Sequence, residues 1–328
     1  MLLSGFSTAS LWLKGSMKVS GTEIEIVTNP DGQTAAPIHG ELDDQANSLI
    51  VKGKWNRELV DFMREKKIKG LYLNYAKGFK CDNFDFLLDL KELELLNIIY
   101  TPVDTLTQIE TLENLRSLSI SCHWKDKLDL SSLQHLGRCF IGYGKGAESI
   151  FECSSLLYLY IDEFKLKSFH NLKNLTNIEY LTIGNSSFNE PELISDLSNL
   201  RKLVLLNCRK LEHIGGFGKL RNLEWLTIDG SKKLNTVEEL SSLKQLKVLQ
   251  LSNCKEIETL SVVRSLTELK ALSFFGDTVI TDGDLSFLEA FKSLSMVGFS
   301  GRRHYTHKPT RSWSWNNYNS EAAAIVRK

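Results

Sequence analysis

The sequence predicts an α/β solenoid, in which one short structural unit stacks on the next and contributes a strand to a parallel sheet. Three observations lead to this prediction. Hydrophobic residues make up 42% of the 328 residues, which is ample for a core. From about residue 68 the chain returns every 20–25 residues to the phrase leucine-x-x-leucine-x-leucine. The last two apolar residues of each phrase are two apart, so they point to the same face of a β-strand.

The phrase occurs about eleven times, and the copies line up readily with one another. The copies read IKGLYLN from Ile68, LKELELLN from Leu90, LRSLSI from Leu115, LGRCFI from Leu136, LLYLYI from Leu156, IEYLTI from Ile178, LRKLVLLNC from Leu200, LEWLTIDG from Leu223, LKVLQLSNC from Leu246, LKALSFFG from Leu269 and LSMVGFS from Leu294. So many matches at one narrow period indicate repeated structural units rather than chance.

Three of the longer copies, LRKLVLLNCRKLEHI, LKVLQLSNCKEIETL and LEWLTIDGSKKLNTV, resemble the short leucine-rich repeats of bacterial internalin-like proteins. The resemblance covers roughly residues 68–300. It implies a curved, horseshoe-shaped solenoid with a concave parallel β-sheet. Each repeat would place a helix or an irregular turn on the convex side, and the protein would be bacterial.

The resemblance also assigns a role to the residue that follows each strand, which in this family is Asn or Cys and satisfies buried backbone groups. The residues at this position are Cys208 and Cys254, with Ser186, Ser231 and Asp277 in other repeats and Ile98 and Gly144 as departures. Because of these departures, we expect local irregularity around residues 121–150.

The repeats divide the chain into four predicted segments. Residues 1–16 are a possible extension, 17–67 an N-terminal cap, 68–300 the solenoid, and 301–328 a C-terminal cap with a loose basic and aromatic tail. A terminal cap is needed because the end of a solenoid exposes apolar surface.

Within the N-terminal cap the sequence signals a strand, a turn and a helix. TEIEIV at 22–27 alternates like a half-buried strand, and NPDG at 29–32 is typical of a turn. A helix is predicted from Asn56, as its N-cap, to near Lys67, with Trp55 packing on Val60.

Charge and cysteine content exclude several classes of protein. Forty Lys and Arg balance forty Asp and Glu, so the whole chain carries no electrostatic footprint for nucleic acid or an anionic membrane. Six cysteines without a CxxC pair favour free thiols in the cytoplasm over a disulfide framework or a zinc site. No run approaches the roughly 18 apolar residues of a membrane span. We therefore expect a cytoplasmic protein, with a secreted effector as the alternative.

Catalytic, cofactor and metal signatures are weak throughout the sequence. GYGKG at 142–146 lacks the spacing of a phosphate-binding loop, and His304 with His307 lacks a third metal ligand. We predict a non-catalytic protein without cofactor or metal. The enzymatic alternative rests on Cys122, Cys139 and Cys153, which the repeat pattern does not assign to the turn position.

Residues that alternate with the core positions must point away from the core. These residues form the predicted binding face, and they fall into three columns. The first column is Gly70, Glu92, Ser117, Arg138, Tyr158, Tyr180, Lys202, Trp225, Val248, Ala271 and Met296. The second is Tyr72, Glu94, Ser119, Phe140, Tyr160, Thr182, Val204, Thr227, Gln250, Ser273 and Gly298. A third holds Asp162, Leu206, Asp229 and Phe275.

Aromatic residues concentrate in the central and later repeats of these columns, and such residues are enriched in binding hot spots. The predicted partner-binding residues are Tyr158, Tyr160, Tyr180, Trp225, Phe140, Phe275 and Asp229. We expect a monomer that binds a protein partner, as a toxin-neutralising immunity protein, an effector or a regulatory scaffold. In the competing interpretation, these aromatics are only good strand formers.

A second alternative is binding of single-stranded nucleic acid or an anionic surface through the C-terminal segment. Basic residues are interleaved there with aromatic ones, from Arg302 and Tyr305 to Trp313, Trp315 and Arg327.

Overall fold

The structure is a computed structural model that describes residues 17–27, 47–291 and 293–308. The predicted extension 1–16, the NPDG turn and residues 309–328 lie outside the described residues. Two compact units divide the chain, Met1–Leu159 and Tyr160–Lys328. Below they are called the N-terminal and the C-terminal unit, and each is described by itself.

In the N-terminal unit one sheet is built in chain order. Its described strands and helix are β1 Met17–Val19, β2 Thr22–Val27, β3 Ser48–Val51, α1 Glu58–Glu65, β4 Gly70–Asn74, β5 Leu95–Ile99, β6 Ser117–Ser121 and β7 Arg138–Gly142. β1, β2 and β3 pair antiparallel, and every pairing from β3 to β7 is parallel. The next strand, β8 Tyr158–Asp162, contains the boundary between the units.

The C-terminal unit continues with parallel strands only. They are β9 Tyr180–Gly184, β10 Lys202–Leu206, β11 Trp225–Asp229, β12 Val248–Ser252, β13 Glu256–Ile257, β14 Ala271–Phe274, β15 Val279–Ile280 and β16 Met296–Phe299. The main sheet has the order β9-β10-β11-β12-β14-β16, and β13 pairs separately with β15.

Short 3-10 helices connect the strands on the other side of the core, which matches the expected helix or irregular turn. They span Tyr75–Lys77, Asp85–Asp89, Thr107–Thr111, Ala147–Glu152, Leu166–Asn174, Pro191–Ile194, Phe217–Lys219, Glu238–Ser242, Ser261–Ser265 and Ser286–Ala290. The stretch expected to be irregular, 121–150, has no 3-10 helix between β6 and β7, although β7 keeps a regular register with β6.

The strand and the helix predicted before the repeats both form. β2 spans Thr22–Val27 as expected, and α1 follows Asn56, whose Oδ1 accepts a hydrogen bond from Leu59 N at 3.3 Å. Trp55, expected to pack on Val60, stacks on the ring of Phe86 with 3.9 Å between ring centroids.

The core consists of rows of apolar side chains that run perpendicular to the strands. One row aligns Leu203, Leu226, Leu249 and Leu272 across four neighbouring strands, and all four are fully buried. A single repeat cannot bury its apolar face alone, so each strand depends on the next for its core contacts.

The register of β5 corrects the prediction for the second repeat. Its phrase starts at Leu93 rather than Leu90, since Leu71 aligns with Leu96 and Leu73 with Ile98. The residues on the outer side of β5 are therefore Leu95, Asn97 and Ile99, and Glu92 and Glu94 precede the strand. The leucines of LKELELLN match the leucine phrase in two registers, and only the pairing of β5 with β4 shows which register the strand adopts.

Buried small side chains close the turns after several strands of the C-terminal unit, as the resemblance implied. Cys254 Sγ donates to the carbonyl oxygen of Ser252 at 3.1 Å, and the Sγ atom of Cys208 lies 3.7 Å from the carbonyl oxygen of Ile183. In the next repeat Asp277, which was predicted to occupy the buried turn position, is exposed.

Thr278 takes over that role, because its Oγ1 donates to Leu251 O at 3.0 Å and accepts from Cys254 N at 3.1 Å. The correction reflects one extra residue between β14 and the turn. Gly144 departs from the pattern because a Cβ there would lie 2.3 Å from the indole of Trp124.

We expect the rows of the core to be the main source of stability. Replacing the fully buried Leu203 by Ala leaves a cavity and should lower the free energy of unfolding by about 2–5 kcal/mol in urea titrations. Its neighbour Val204 is part-exposed on the opposite side of β10, so Val204→Ala is the matched control and should cost clearly less. Equal losses would mean that the two faces of β10 are not distinguished as described.

Candidate functional site

The open face is defined here as the side of the sheet opposite the leucine rows, formed by alternate residues of each strand. Its middle column in the N-terminal unit consists of Tyr72, Asn97, Ser119 and Phe140, all part-exposed. In the C-terminal unit the middle column runs through Tyr160, Thr182, Val204, Thr227, Gln250, Ser273 and Gly298. Apart from the β5 correction, the residues occupy the columns predicted for them.

An aromatic group on the open face of the N-terminal unit contains two of the predicted binding residues. The rings of Phe140 and Tyr158 lie 5.1 Å apart between centroids, and the guanidinium of Arg138 lies 5.8 Å from the Tyr158 ring centroid. Phe140 is part-exposed, whereas Tyr158 is only 2% exposed. A cation over a ring adds electrostatic attraction to such a group and fixes its geometry.

Trp225 organises the corresponding group of the C-terminal unit, called here the Trp225 cluster (Lys202, Trp225, Thr227, Gln250). Lys202 Nζ lies 3.8 Å from the centroid of the Trp225 ring. The indole Nε1 donates to Thr227 Oγ1 at 2.7 Å, and Thr227 Oγ1 donates to Gln250 Oε1 at 2.7 Å. Lys202 and Thr227 thereby hold the tryptophan in one orientation, and Gln250 in turn holds Thr227.

The burial of Tyr158 and Trp225 corrects one part of the sequence prediction. Both lie in the outward column, but Trp225 is only 4% exposed and Tyr158 only 2%. Replacement of either residue by Ala would remove packing, and for Trp225 also a hydrogen bond, and would therefore cost stability.

Tyr160 and Asp162 lie together over Gly184 in the C-terminal unit. A Cβ at Gly184 would be 2.6 Å from Asp162 Oδ1 and 3.0 Å from the Tyr160 hydroxyl, so the glycine leaves room for both groups. Burial, and then the neighbouring Asp162 carboxylate, raise the pKa of the Tyr160 hydroxyl to about 12. The hydroxyl therefore stays protonated near neutral pH and remains a hydrogen-bond donor.

Carboxylates and amides line the edge of the open face where the strands end. Asn185 Nδ2 donates to Asp162 Oδ1 at 2.8 Å, and Asn253 Nδ2 donates to Asp229 Oδ1 at 2.8 Å. Burial raises the pKa of the Asp229 carboxyl above its ordinary value, against the hydrogen bond from Asn253. Phe275 is part-exposed directly after β14, and Tyr180 is part-exposed at the start of β9.

Sequence reasoning missed a charge ladder at the other end of the strands. Glu224 accepts from Arg201 Nη2 at 3.0 Å and from Lys247 Nζ at 2.9 Å, and these three residues precede β11, β10 and β12. Burial would raise the pKa of the Glu224 carboxyl, but the hydrogen bonds from Lys247 and Arg201 lower it. The signal that could have found the ladder was the alternating charge of the residues directly before β9 to β12, which are Glu179, Arg201, Glu224 and Lys247.

The thiols proposed for an enzymatic role are poorly suited to it. Burial raises the pKa of Cys122 to about 12, and burial, followed by the charges of Asp129 and Glu152, raises that of Cys153 to about 12. Cys139 is fully buried in β7, and its pKa is also raised. The reactive form of cysteine is the thiolate, which these environments disfavour.

The remaining candidates have structural roles. His304 Nε2 lies 3.0 Å from the carbonyl oxygen of Ile280, and His307 Nε2 lies 3.0 Å from Glu289 Oε1. Tyr305 is buried and its hydroxyl accepts from Ile280 N, so its ring is not available to stack on a base. The other aromatic residues of the C-terminal segment lie outside the described residues.

The described part of the chain lacks a clustered metal-binding group and a membrane-spanning helix. It contains no group of three or more His, Cys, Asp or Glu residues arranged to hold a metal ion. None of its helices is long and apolar enough to cross a membrane.

Comparison with solved structures identifies the fold. An internalin (InlF) of Listeria monocytogenes superposes with a TM-score of 0.54 at 16% identity, over 78% of this chain and 83% of the internalin. The chain has the leucine-rich repeat fold. A leucine-rich repeat protein of Leptospira interrogans gives 0.52 at 18% identity, over 74% of both chains.

A further solved structure extends the comparison, whereas searches by sequence add nothing. A TDR receptor superposes with a TM-score of 0.54 at 15% identity, over 75% of this chain and 45% of the receptor. No protein-family model matches the sequence, and no curated protein sequence matches it significantly. The predicted leucine-rich repeat solenoid is therefore confirmed at the level of the fold.

The hydrogen bonds of the Trp225 cluster make a testable contribution to this leucine-rich repeat protein. Thr227→Val keeps the side-chain volume but leaves Trp225 Nε1 without its acceptor, so the free energy of unfolding should fall by about 1–3 kcal/mol in urea titrations. Thr182→Val, in the same column on β9, is the control and should cost less. A neutral Thr227→Val would show that the indole finds another acceptor.

The charge ladder predicts a pH-dependent contribution from Glu224. Because its folded-state pKa is lowered, its contribution is present above its ordinary pKa of 4.5 and is lost as the pH falls through the lowered value. Glu224→Gln should therefore be less stable than the wild type at pH 7, and the difference should shrink at pH 3. The exposed Glu238 provides the control, since Glu238→Gln should change little at either pH. A difference independent of pH would contradict the lowered pKa.

Proposed function

We propose that the chain is a non-catalytic protein-interaction module that binds a protein partner on the open face of its sheet. The observation that carries the proposal is the aromatic content of that face, held in fixed geometry by cations and hydrogen bonds. In the C-terminal unit, Tyr160 and Tyr180 are part-exposed, and Trp225 beneath Lys202 forms a rigid support. Rigid aromatic side chains lose little conformational entropy on binding, which makes them effective contact residues.

The carboxylates at the edge of the face suggest what the partner carries. Asp162 and Asp229 lie on the same side as the tyrosines, and burial disfavours the charge on Asp229. A Lys or Arg side chain of a partner would relieve that cost and would pair with these carboxylates. The proposed partner therefore presents an apolar patch bordered by basic groups.

Four further residues complete the set of proposed contact residues. They are Phe140 and Tyr158 in the N-terminal unit and Phe275 and Asp229 in the C-terminal unit. Because Tyr158 is buried, it would act through the orientation of Phe140. The biological role remains open among a toxin-neutralising immunity protein, an effector and a regulatory scaffold. All six cysteines are free thiols, which supports a reducing compartment such as the bacterial cytoplasm. We further propose that the protein is a monomer.

The proposal is tested by titrating purified variants against a partner that the immobilised wild-type chain has captured. Tyr180→Ala and Tyr160→Ala should each weaken binding by roughly tenfold or more, which corresponds to about 1.4 kcal/mol, while the thermal unfolding temperature changes little. Gln245→Ala is the control, since this exposed residue lies in the turn after the 3-10 helix Glu238–Ser242. Wild-type affinity of both tyrosine variants would show that the partner binds elsewhere.

A further inference from the structure

Part of the open face of the C-terminal unit is buried although it points away from the leucine rows. In the middle column Thr227 is 4% exposed, Gln250 1% and Ser273 0%. Ser252, at the end of β12, is 1% exposed. These four residues define what is called here the covered face, which lies on β11, β12 and β14.

Neighbouring side chains in the same column do not explain this burial. Ser273 lies between Gln250 and Gly298, and a glycine has no side chain that could cover it. In the N-terminal unit Ser119 occupies the same column between the larger Asn97 and Phe140 and is nevertheless part-exposed. A smaller set of neighbours within the column thus accompanies a more complete burial, so the column alone does not account for the burial of the covered face.

The covered face is also polar, which determines what kind of cover suits it. The hydroxyls of Ser252 and Ser273 are buried without a hydrogen-bond partner among the described residues. Burying a hydroxyl without a partner is costly, so a purely apolar cover would be unfavourable. A peptide segment with amide and hydroxyl side chains, together with its own backbone groups, matches this surface better.

We propose that residues 309–328 of the same chain dock on the covered face. This segment contains Trp313, Trp315 and Tyr318 within SWSWNNYNS, a stretch of aromatic rings, amides and hydroxyls without charge. It follows Lys308, which belongs to the same unit as the covered face. The two other segments outside the described residues, 1–16 and 28–46, are attached to strands of the N-terminal unit.

The described residues before Lys308 fix the point from which this segment starts. Tyr305 packs against Phe299 and Phe274 with centroid distances of 6.0 and 6.2 Å, and its hydroxyl accepts from Ile280 N at 2.9 Å. Thr306 N donates to Gly283 O at 3.0 Å. Docking therefore occurs within one molecule, which gives the segment a high effective concentration.

The length of the segment is sufficient for this path. Twenty residues span at most about 66–72 Å when extended, whereas β11, β12 and β14 are neighbours at about 4.8 Å spacing. The segment could leave Lys308, reach the face and still lie across several strands.

Docking would regulate the binding site described above. This consequence rests on the proposed function, because a partner that binds next to Trp225 would compete with residues 309–328 for the same surface. Removal of the segment should then raise the affinity for the partner, since the partner no longer has to displace it.

The docking itself is tested without a partner, by the accessibility of a reporter thiol. Ser273→Cys is introduced into the full chain, with Cys81→Ser and Cys122→Ser to remove the part-exposed native thiols. The rate of reaction with a disulfide reagent should rise at least tenfold when Trp313→Ala and Trp315→Ala are added. Ser119→Cys in the same background is the matched control, and its rate should not change.

A chain that ends at Lys308 provides the second measurement, with its fold checked by circular dichroism. Its Ser273→Cys thiol should react fast, and a synthetic peptide of residues 309–328 should slow the reaction again, whereas the peptide with both tryptophans replaced by Ala should not. An equal rate in all chains overturns the proposal, as does an increase that the added peptide does not reverse. Because the readout needs no partner, its failure would leave the proposed function standing.

Discussion

Strands of the C-terminal unit end in turns that bury backbone carbonyl groups, and the regularity of this unit depends on hydrogen bonds to those groups. Cys254 Sγ donates to the carbonyl of Ser252, and Thr278 Oγ1 donates to that of Leu251 in the neighbouring repeat. A small side chain is required because the site is fully enclosed. A buried carbonyl without a partner would cost about as much as a buried core methyl group contributes, so the turn constrains the sequence as strongly as the leucine rows do.

The turns fix the strand length, and the strand length fixes the columns of the open face. Asn185, Asn207 and Asn253 follow their strands with φ between 44° and 54°, a conformation that asparagine tolerates better than most residues. Because neighbouring strands start and end at paired positions, side chains in successive repeats lie directly opposite one another. The contact between Lys202 and Trp225 and the bond between Thr227 and Gln250 both join residues that are opposite in this register.

The same alignment brings opposite charges of neighbouring repeats into contact. The residues before β9 to β12 alternate in sign, so that Glu224 contacts Arg201 on one side and Lys247 on the other. Charges used in such pairs are not available to attract a distant polyanion. Under the proposed function, a partner would recognise the open face through shape and aromatic surface, with the carboxylates at its edge adding charge selectivity, rather than through long-range attraction.

Local sequence patterns determined the fold. The leucine phrase placed ten of its eleven strands in the observed register, because alternate apolar residues have only one way to face the core. In LKELELLN two registers fit equally well, and pairing with β4 decided between them. The turn residues Cys208 and Cys254 were assigned correctly, whereas the extra residue that moves the role from Asp277 to Thr278 was visible only in three dimensions.

The exposure of residues on the open face was decided by the tertiary structure alone. The sequence put Tyr158, Tyr160, Tyr180 and Trp225 in outward columns, and they are there. It did not indicate that Tyr158 and Trp225 are buried, because burial depends on what lies over a side chain and not on the direction in which it points. The burial of the covered face escaped the sequence for the same reason. The alternation of residues fixes which side of the sheet a side chain faces, but only the folded chain determines whether that side is exposed.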